Sequence, residues 1–107
     1  MRNQELKALG EVRQQLAAGD FEFSRHALRK VVERNIRLEE IREAGSEAQV
    51  IEDYPDDKYS PSVLLLGFTH AGRPLHLQVS LSMAELTKII TLYEPDPREW
   101  IDFRMRR

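Results

Sequence analysis

No cysteine occurs in these 107 residues, which excludes disulfides and thiolate metal sites. No apolar run approaches the ~20 residues that cross a bilayer. The N-terminus, Met1-Arg2-Asn3-Gln4-Glu5, turns polar and acidic too early for a secretory signal. The expectation is therefore a cytoplasmic protein with no membrane segment. Internal repeats, low-complexity stretches, a P-loop, a dinucleotide fingerprint and a G-x-S-x-G elbow are also missing. His26, His70 and His76 show no H-x-x-x-H spacing, and no carboxylate is set among them. Asp53, Asp56 and Asp57 lack the order of a calcium loop. No metal and no cofactor is expected.

What is present fits one globular domain over residues 1–107, with 41% apolar and 32% charged residues. The formal charge of −2 carries no global nucleic-acid signal. Its distribution is uneven. Residues 1–37 hold eight Lys/Arg against five Asp/Glu, and residues 38–58 hold two against eight. The acidic block reads as a solvated edge or a partner surface.

Leu6, Leu9, Val12, Arg13 and Leu16 follow the helical period, so a first helix is expected over residues 4–18, closed by Gly19-Asp20. Phe21-Glu22-Phe23 reads as a short extended piece. Ser24 caps a second helix over 25–35, with Leu28, Val31, Val32 and Ile36 as its apolar stripe and Asn35 at a left-handed close. A third helix over 38–44 ends at Gly45. The period then changes to two, and strands are expected at 49–54, 62–69, 74–81 and 87–94. Pro95 and Pro97 end the last of them, and a tail with Trp100 and Phe103 packs back. Helices followed by strands predict an α+β fold, with N-terminal helices packed on one face of a four-stranded antiparallel sheet. The other face is expected to be at least partly open.

In Pro74-Leu75-His76-Leu77-Gln78-Val79-Ser80-Leu81 the leucines and valine point one way and His76, Gln78 and Ser80 the other. A two-residue Ala71-Gly72 turn would pair His70 with Arg73 and set Gly67 opposite His76. Matching apolar faces pairs Val79 with Ile90, Leu77 with Leu92, Gln78 with Thr91 and His76 with Tyr93. His76 would then stand on the open face, beside Tyr93 and a gap at Gly67. The plainer alternative is a bulge at Gly67 and an ordinary cross-strand pair. His26, in the first turn of its helix, shares one side with Lys30 and Arg34. It reads as a general base beside phosphate-binding cations, or simply as part of a solvated helix face.

The segment Ser24-Arg25-His26-Ala27-Leu28-Arg29-Lys30-Val31-Val32-Glu33-Arg34-Asn35-Ile36 resembles the H-A-x-x-R-x-x-x-R-G-I block of a bacterial domain family of unknown function. Val50–Pro55, Gly72-Arg73-Pro74-Leu75-His76 and Tyr93-Glu94-Pro95-Asp96-Pro97-Arg98-Glu99-Trp100 resemble its other blocks, in order. The likeness covers about residues 21–100, with residues 1–19 as a helical extension and 101–107 as a tail. Lys30 stands where that family has Arg, and Asn35 where it has Gly. The family looks like a distant relative of the RelE-like and barnase/colicin E5-like ribonuclease toxins. That resemblance implies a RelE-like α+β core and an antitoxin as protein partner.

The resulting expectation is a toxin-type endoribonuclease that needs no metal. One imidazole takes the 2′-hydroxyl proton, and a second group protonates the leaving oxygen. His26, His76 and Tyr93 are the catalytic candidates, and Lys30, Arg34 and Arg73 the RNA- and phosphate-binding ones. The alternative is a non-catalytic protein-interaction module using the acidic block or a strand edge. A third reading is an accessory domain that binds nucleic acid without cleaving it.

Overall fold

A computed structural model describes residues 5–107. The elements are α1 (Leu9–Ala18), β1 (Phe21–Phe23), α2 (Arg25–Glu33), α3 (Leu38–Ser46), β2 (Gln49–Tyr54), β3 (Ser62–Phe68), β4 (Pro74–Ser80), β5 (Thr87–Tyr93), β6 (Trp100–Ile101) and β7 (Met105–Arg106). The α+β class is as expected, but the sheet is five-stranded and mixed, in the order β1-β5-β4-β3-β2. Phe21–Phe23 adds as a parallel edge strand, with Phe21 opposite Thr87 and Phe23 opposite Ile89. Three residues are too few to show strand periodicity, which is why this edge was not expected.

The core lies between the helices and one sheet face. Leu65, Leu75, Leu77, Val79, Ile89 and Leu92 meet Val12, Leu16, Ile41 and Ala44 there. Each of the valine, leucine and isoleucine side chains, fully buried, contributes about 1.5–3 kcal/mol. Gly67 lies on this face and permits its closest approach. A Cβ built on it would stand 1.9 Å from the Ala44 carbonyl oxygen of α3.

The helix ends differ from the sequence pattern for identifiable reasons. The expected start of the first helix at Gln4 lies outside the described residues, and the helix begins at Leu9. Ahead of it the chain runs along the sheet: the Lys7 amide donates to the Leu81 carbonyl at 2.7 Å, and Leu6 bridges Ser82. Ser24 caps α2 as expected, its Oγ accepting from the Ala27 amide at 3.0 Å. That Oγ also donates to the Ile90 carbonyl at 2.7 Å, which anchors the helix start to β5. The expected stripe of α2 is corrected. Ala27 and Val31 face the body, while Leu28 and Val32 are 53% and 75% exposed. Asn35 does take the left-handed conformation, at φ 53. Gly45 does not end α3 but lies inside it, where a Cβ would meet Leu16.

The β3–β4 register is one residue off the expected one. The turn has three residues, His70-Ala71-Gly72, with Gly72 at φ 90. It is closed by the Thr69 amide on the Arg73 carbonyl at 2.9 Å and by the Arg73 amide on Thr69 Oγ1 at 3.0 Å. A three-residue loop with its last residue left-handed is the next commonest hairpin after the two-residue turn. Gly67 therefore pairs with Leu75, and His76 with Leu66. The β4–β5 pairing is as expected from His76–Tyr93 to Gln78–Thr91. A bulge then sets Val79 opposite Ile89 instead of Ile90.

The second sheet face is not open at His76. The chain after β5 folds back as the β6–β7 hairpin and covers that half. Its turn holds Asp102 and Phe103 at φ 52 and 62, with the Arg104 amide on the Ile101 carbonyl at 2.9 Å. No helix among the described residues is long and apolar enough to cross a membrane.

Candidate functional site

Alternation along β2, β4 and β5 sends Glu52, Tyr54, His76 and Tyr93 to the second sheet face. The C-terminal hairpin brings Trp100, Phe103 and Arg106 over them. His76 is completely buried. Its Nε2 lies 2.7 Å from the Phe103 carbonyl oxygen and its Nδ1 lies 3.2 Å from the Tyr93 hydroxyl. A carbonyl can only accept, so the imidazole carries its proton on Nε2, and Nδ1 accepts from Tyr93. The Trp100 ring meets the imidazole edge-on, with centroids 4.5 Å apart. Across the face, Arg106 donates to Glu52 at 2.9 and 3.1 Å and lies 4.6 Å over the Trp100 ring. The Tyr54 hydroxyl donates to the same carboxylate.

The protonation states follow from these contacts. Burial pushes the His76 imidazole below its usual value near 6.5, against the opposing pull of the Phe103 carbonyl and the Glu52 charge. The hydrogen bond from Arg106 leads the causes that hold the Glu52 carboxyl below the usual carboxylate range. Burial raises both phenols, and the Glu52 bond adds to the rise at Tyr54. At neutral pH the cluster thus holds a neutral imidazole, a carboxylate, a guanidinium and two protonated phenols. Proton acceptor, proton donors and a cation for developing negative charge are all within it.

One pH dependence is fixed in sign. An imidazole whose folded pKa is depressed stabilises the fold fully above its unfolded value. That stability is lost as pH falls from there through the folded value. Urea unfolding between pH 7.5 and pH 5 is expected to show stability declining below about 6.5, by at most about 1.4 kcal/mol per pH unit from this one proton. His76→Gln is expected to flatten that decline. An equal slope in both proteins would remove His76 from the account.

The other expected residues are dispersed. His26 is exposed on α2 and lines a cavity of about 490 Å³ with Ser24, Ser80 and Lys88, among others. Neither His76 nor Tyr93 lines that cavity. Ser80 lies four residues along β4 from His76, about 13 Å in a strand, so His76 stands well away from the cavity that His26 lines. Lys30 pairs with Glu33 at 3.6 Å, and Arg34 is exposed. Arg73 is engaged by Glu40 and Glu94 at 2.9 and 2.8 Å and by the Asn35 and Arg34 carbonyls. It ties the β3–β4 turn to the α2–α3 connection. Gly67, expected as a gap beside His76, faces α3 instead.

Glu52 and Tyr54 were missed, although their i, i+2 spacing on a strand puts them on one face. Arg106 had no such signal, because the hairpin that carries it has no periodicity. Among the described residues no group of three or more His, Asp and Glu side chains is placed to hold a metal ion.

Compared with known protein families, residues 23–94 match a domain of unknown function, DUF4258. No curated protein and no solved structure gives a match.

Proposed function

The chain belongs to the DUF4258 family, and on that premise we propose that it is a toxin-type endoribonuclease that needs no metal, with its chemistry at the His76 cluster. The observation that carries this reading is a His76–Tyr93 pair and a Glu52–Tyr54–Arg106 trio on one sheet face, joined through the Trp100 ring. In this reading the 2′-hydroxyl proton passes to the Tyr93 oxygen as the Tyr93 proton moves to His76 Nδ1. The 2′ oxygen attacks phosphorus, and the bond to the 5′ oxygen breaks. Tyr54, kept protonated, gives that oxygen its proton, and Arg106 stabilises the phosphoryl charge. The products are a 2′,3′-cyclic phosphate and a 5′-hydroxyl. His26, with Lys30 and Arg34 beyond it on α2, positions the RNA backbone. Arg73 has its donors engaged and serves to position the turn. The Phe103 carbonyl covers His76, so substrate entry requires the hairpin to shift. An antitoxin protein is the partner this reading calls for.

The test is cleavage of a defined RNA in EDTA, with product ends identified by mass. Tyr93→Phe and Arg106→Met are each expected to lower the rate by about 10²–10⁴-fold without unfolding the protein. Cleavage undiminished in both would remove the cluster from the chemistry, and no cleavage by the native chain would remove the enzyme.

A second reading, a non-catalytic interaction module, is favoured by one observation. Both His76 nitrogens are engaged and the ring is fully buried, as in a bracing histidine. The exposed Leu28 and Val32 would then form part of the docking face. Partner binding lost in Val32→Lys but kept in Tyr93→Phe would favour it.

A further inference from the structure

The half of the second sheet face away from the C-terminal hairpin holds the cavity of about 490 Å³. That volume lies within the ~300–1,000 Å³ typical of small-molecule sites. Its charged groups stand on opposite walls. Lys88 on β5 and His26 on α2 form one wall, and Asp57 in the β2–β3 connection belongs to the other. β5 and β3 are two strand spacings apart, about 10 Å. Hydroxyls bridge the walls: Ser60 Oγ and Ser80 Oγ lie 2.7 Å apart, and Ser80 Oγ donates to Ser82 Oγ at 3.1 Å. Tyr59, 89% exposed, offers an aromatic face at the rim.

We infer that this cavity binds one nucleotide unit of RNA. The phosphate sits at Lys88 and His26, the ribose hydroxyls sit on the serine chain and Asp57, and the base stacks on Tyr59. An ammonium and an imidazole suit a phosphate. A carboxylate accepts from a sugar diol, and an exposed phenol ring stacks on a base without reading its sequence. The choice of RNA rests on the function proposed above, but the placement does not depend on cleavage occurring.

Amide shifts of the full chain, titrated with adenosine 3′-monophosphate to about 10 mM, test it, since millimolar affinity suffices for one nucleotide. Adenosine and ribose 5-phosphate are the comparison ligands. The expected result is shifts at Ser60, Ser82 and Lys88. Lys88→Met should weaken the nucleotide about tenfold and leave adenosine unchanged. Tyr59→Ala should weaken nucleotide and adenosine alike, by at least about fivefold. Both side chains are exposed, so neither change threatens the fold. Shifts confined to other surfaces, indifference to Lys88→Met, or ribose 5-phosphate binding as tightly as the nucleotide would each overturn the inference. The EDTA cleavage assay, run in parallel, separates the two ideas. Nucleotide in the cavity without cleavage ends the enzyme reading alone, and cleavage with an empty cavity ends this one alone.

Discussion

Gly67→Ala is expected to destabilise the protein by about 3 kcal/mol or more, at or beyond the upper end for overpacked cores. The added Cβ would stand 1.9 Å from the Ala44 carbonyl oxygen and 2.6 Å from its carbon. These are backbone atoms, so no side-chain rotation relieves the overlap, and α3 and β3 must separate. Separation loosens the contacts of Leu65 and Ile41, both fully buried. A loss of this size is a large share of the ~5–15 kcal/mol that a small domain has in total. Gly10→Ala is the control. Its Cβ meets nothing within 4 Å, and Gly10 lies in α1, so helix propensity predicts a gain of up to about 1 kcal/mol. Urea midpoints of the two variants should move in opposite directions. Equal shifts would mean that the α3–β3 approach is not as close as described.

Trp100→Ala is expected to cost about 3–5 kcal/mol, the usual range for a buried aromatic, and to free the C-terminal hairpin. Trp100 is 3% exposed and lies between the His76 imidazole and the Arg106 guanidinium. The hairpin turn holds two residues other than glycine at positive φ, a conformation costing of order 1 kcal/mol or more each. Its contacts with the sheet, beside the short β6–β7 pairing, hold that strain in place. With Trp100 gone, the His76 ring should meet water and its pKa should rise towards 6.5, because burial is the leading cause of its depression. An NMR titration of His76 and amide exchange over residues 95–107 read both effects. Slow exchange there in the variant, with His76 still depressed, would show that the cover stays closed without Trp100.

The sequence pattern was informative wherever alternation was strong. The starts and ends of β2 to β5 follow it within one residue, and the His76–Tyr93 pair follows from matching Leu77 with Leu92. It failed where one residue of slip hides behind similar side chains. Leu64, Leu65 and Leu66 match the apolar positions of β4 in either register, and a left-handed Gly72 suits a two- or a three-residue loop alike, so the sequence left the loop length open. The buried face of α2 misled because Ala27, the least conspicuous apolar residue there, makes the close contact. The cover over His76 could not be foreseen: Asp102 alone is a weak turn signal, Phe103 carries none, and the hairpin strands have two residues each. Hence the His76–Tyr93 pair was legible, the shared strand face of Glu52 and Tyr54 was a signal left unread, and Arg106 carried no signal at all.

The parallel edge has a consequence for the order of assembly. β1 leaves the chain early but finds its partner only in β5, and the Ser24 hydroxyl that fixes α2 reaches a carbonyl 66 positions further on. Closing so long a loop costs entropy before any contact repays it. The antiparallel pairs from β2 to β5 join neighbours in sequence and can form first. Strand β1 and helix α2 are then expected to dock last on the exposed β5 edge, so refolding should be slower than for a helical bundle of this length. Until they dock, β5 has a free flank on which another chain could pair.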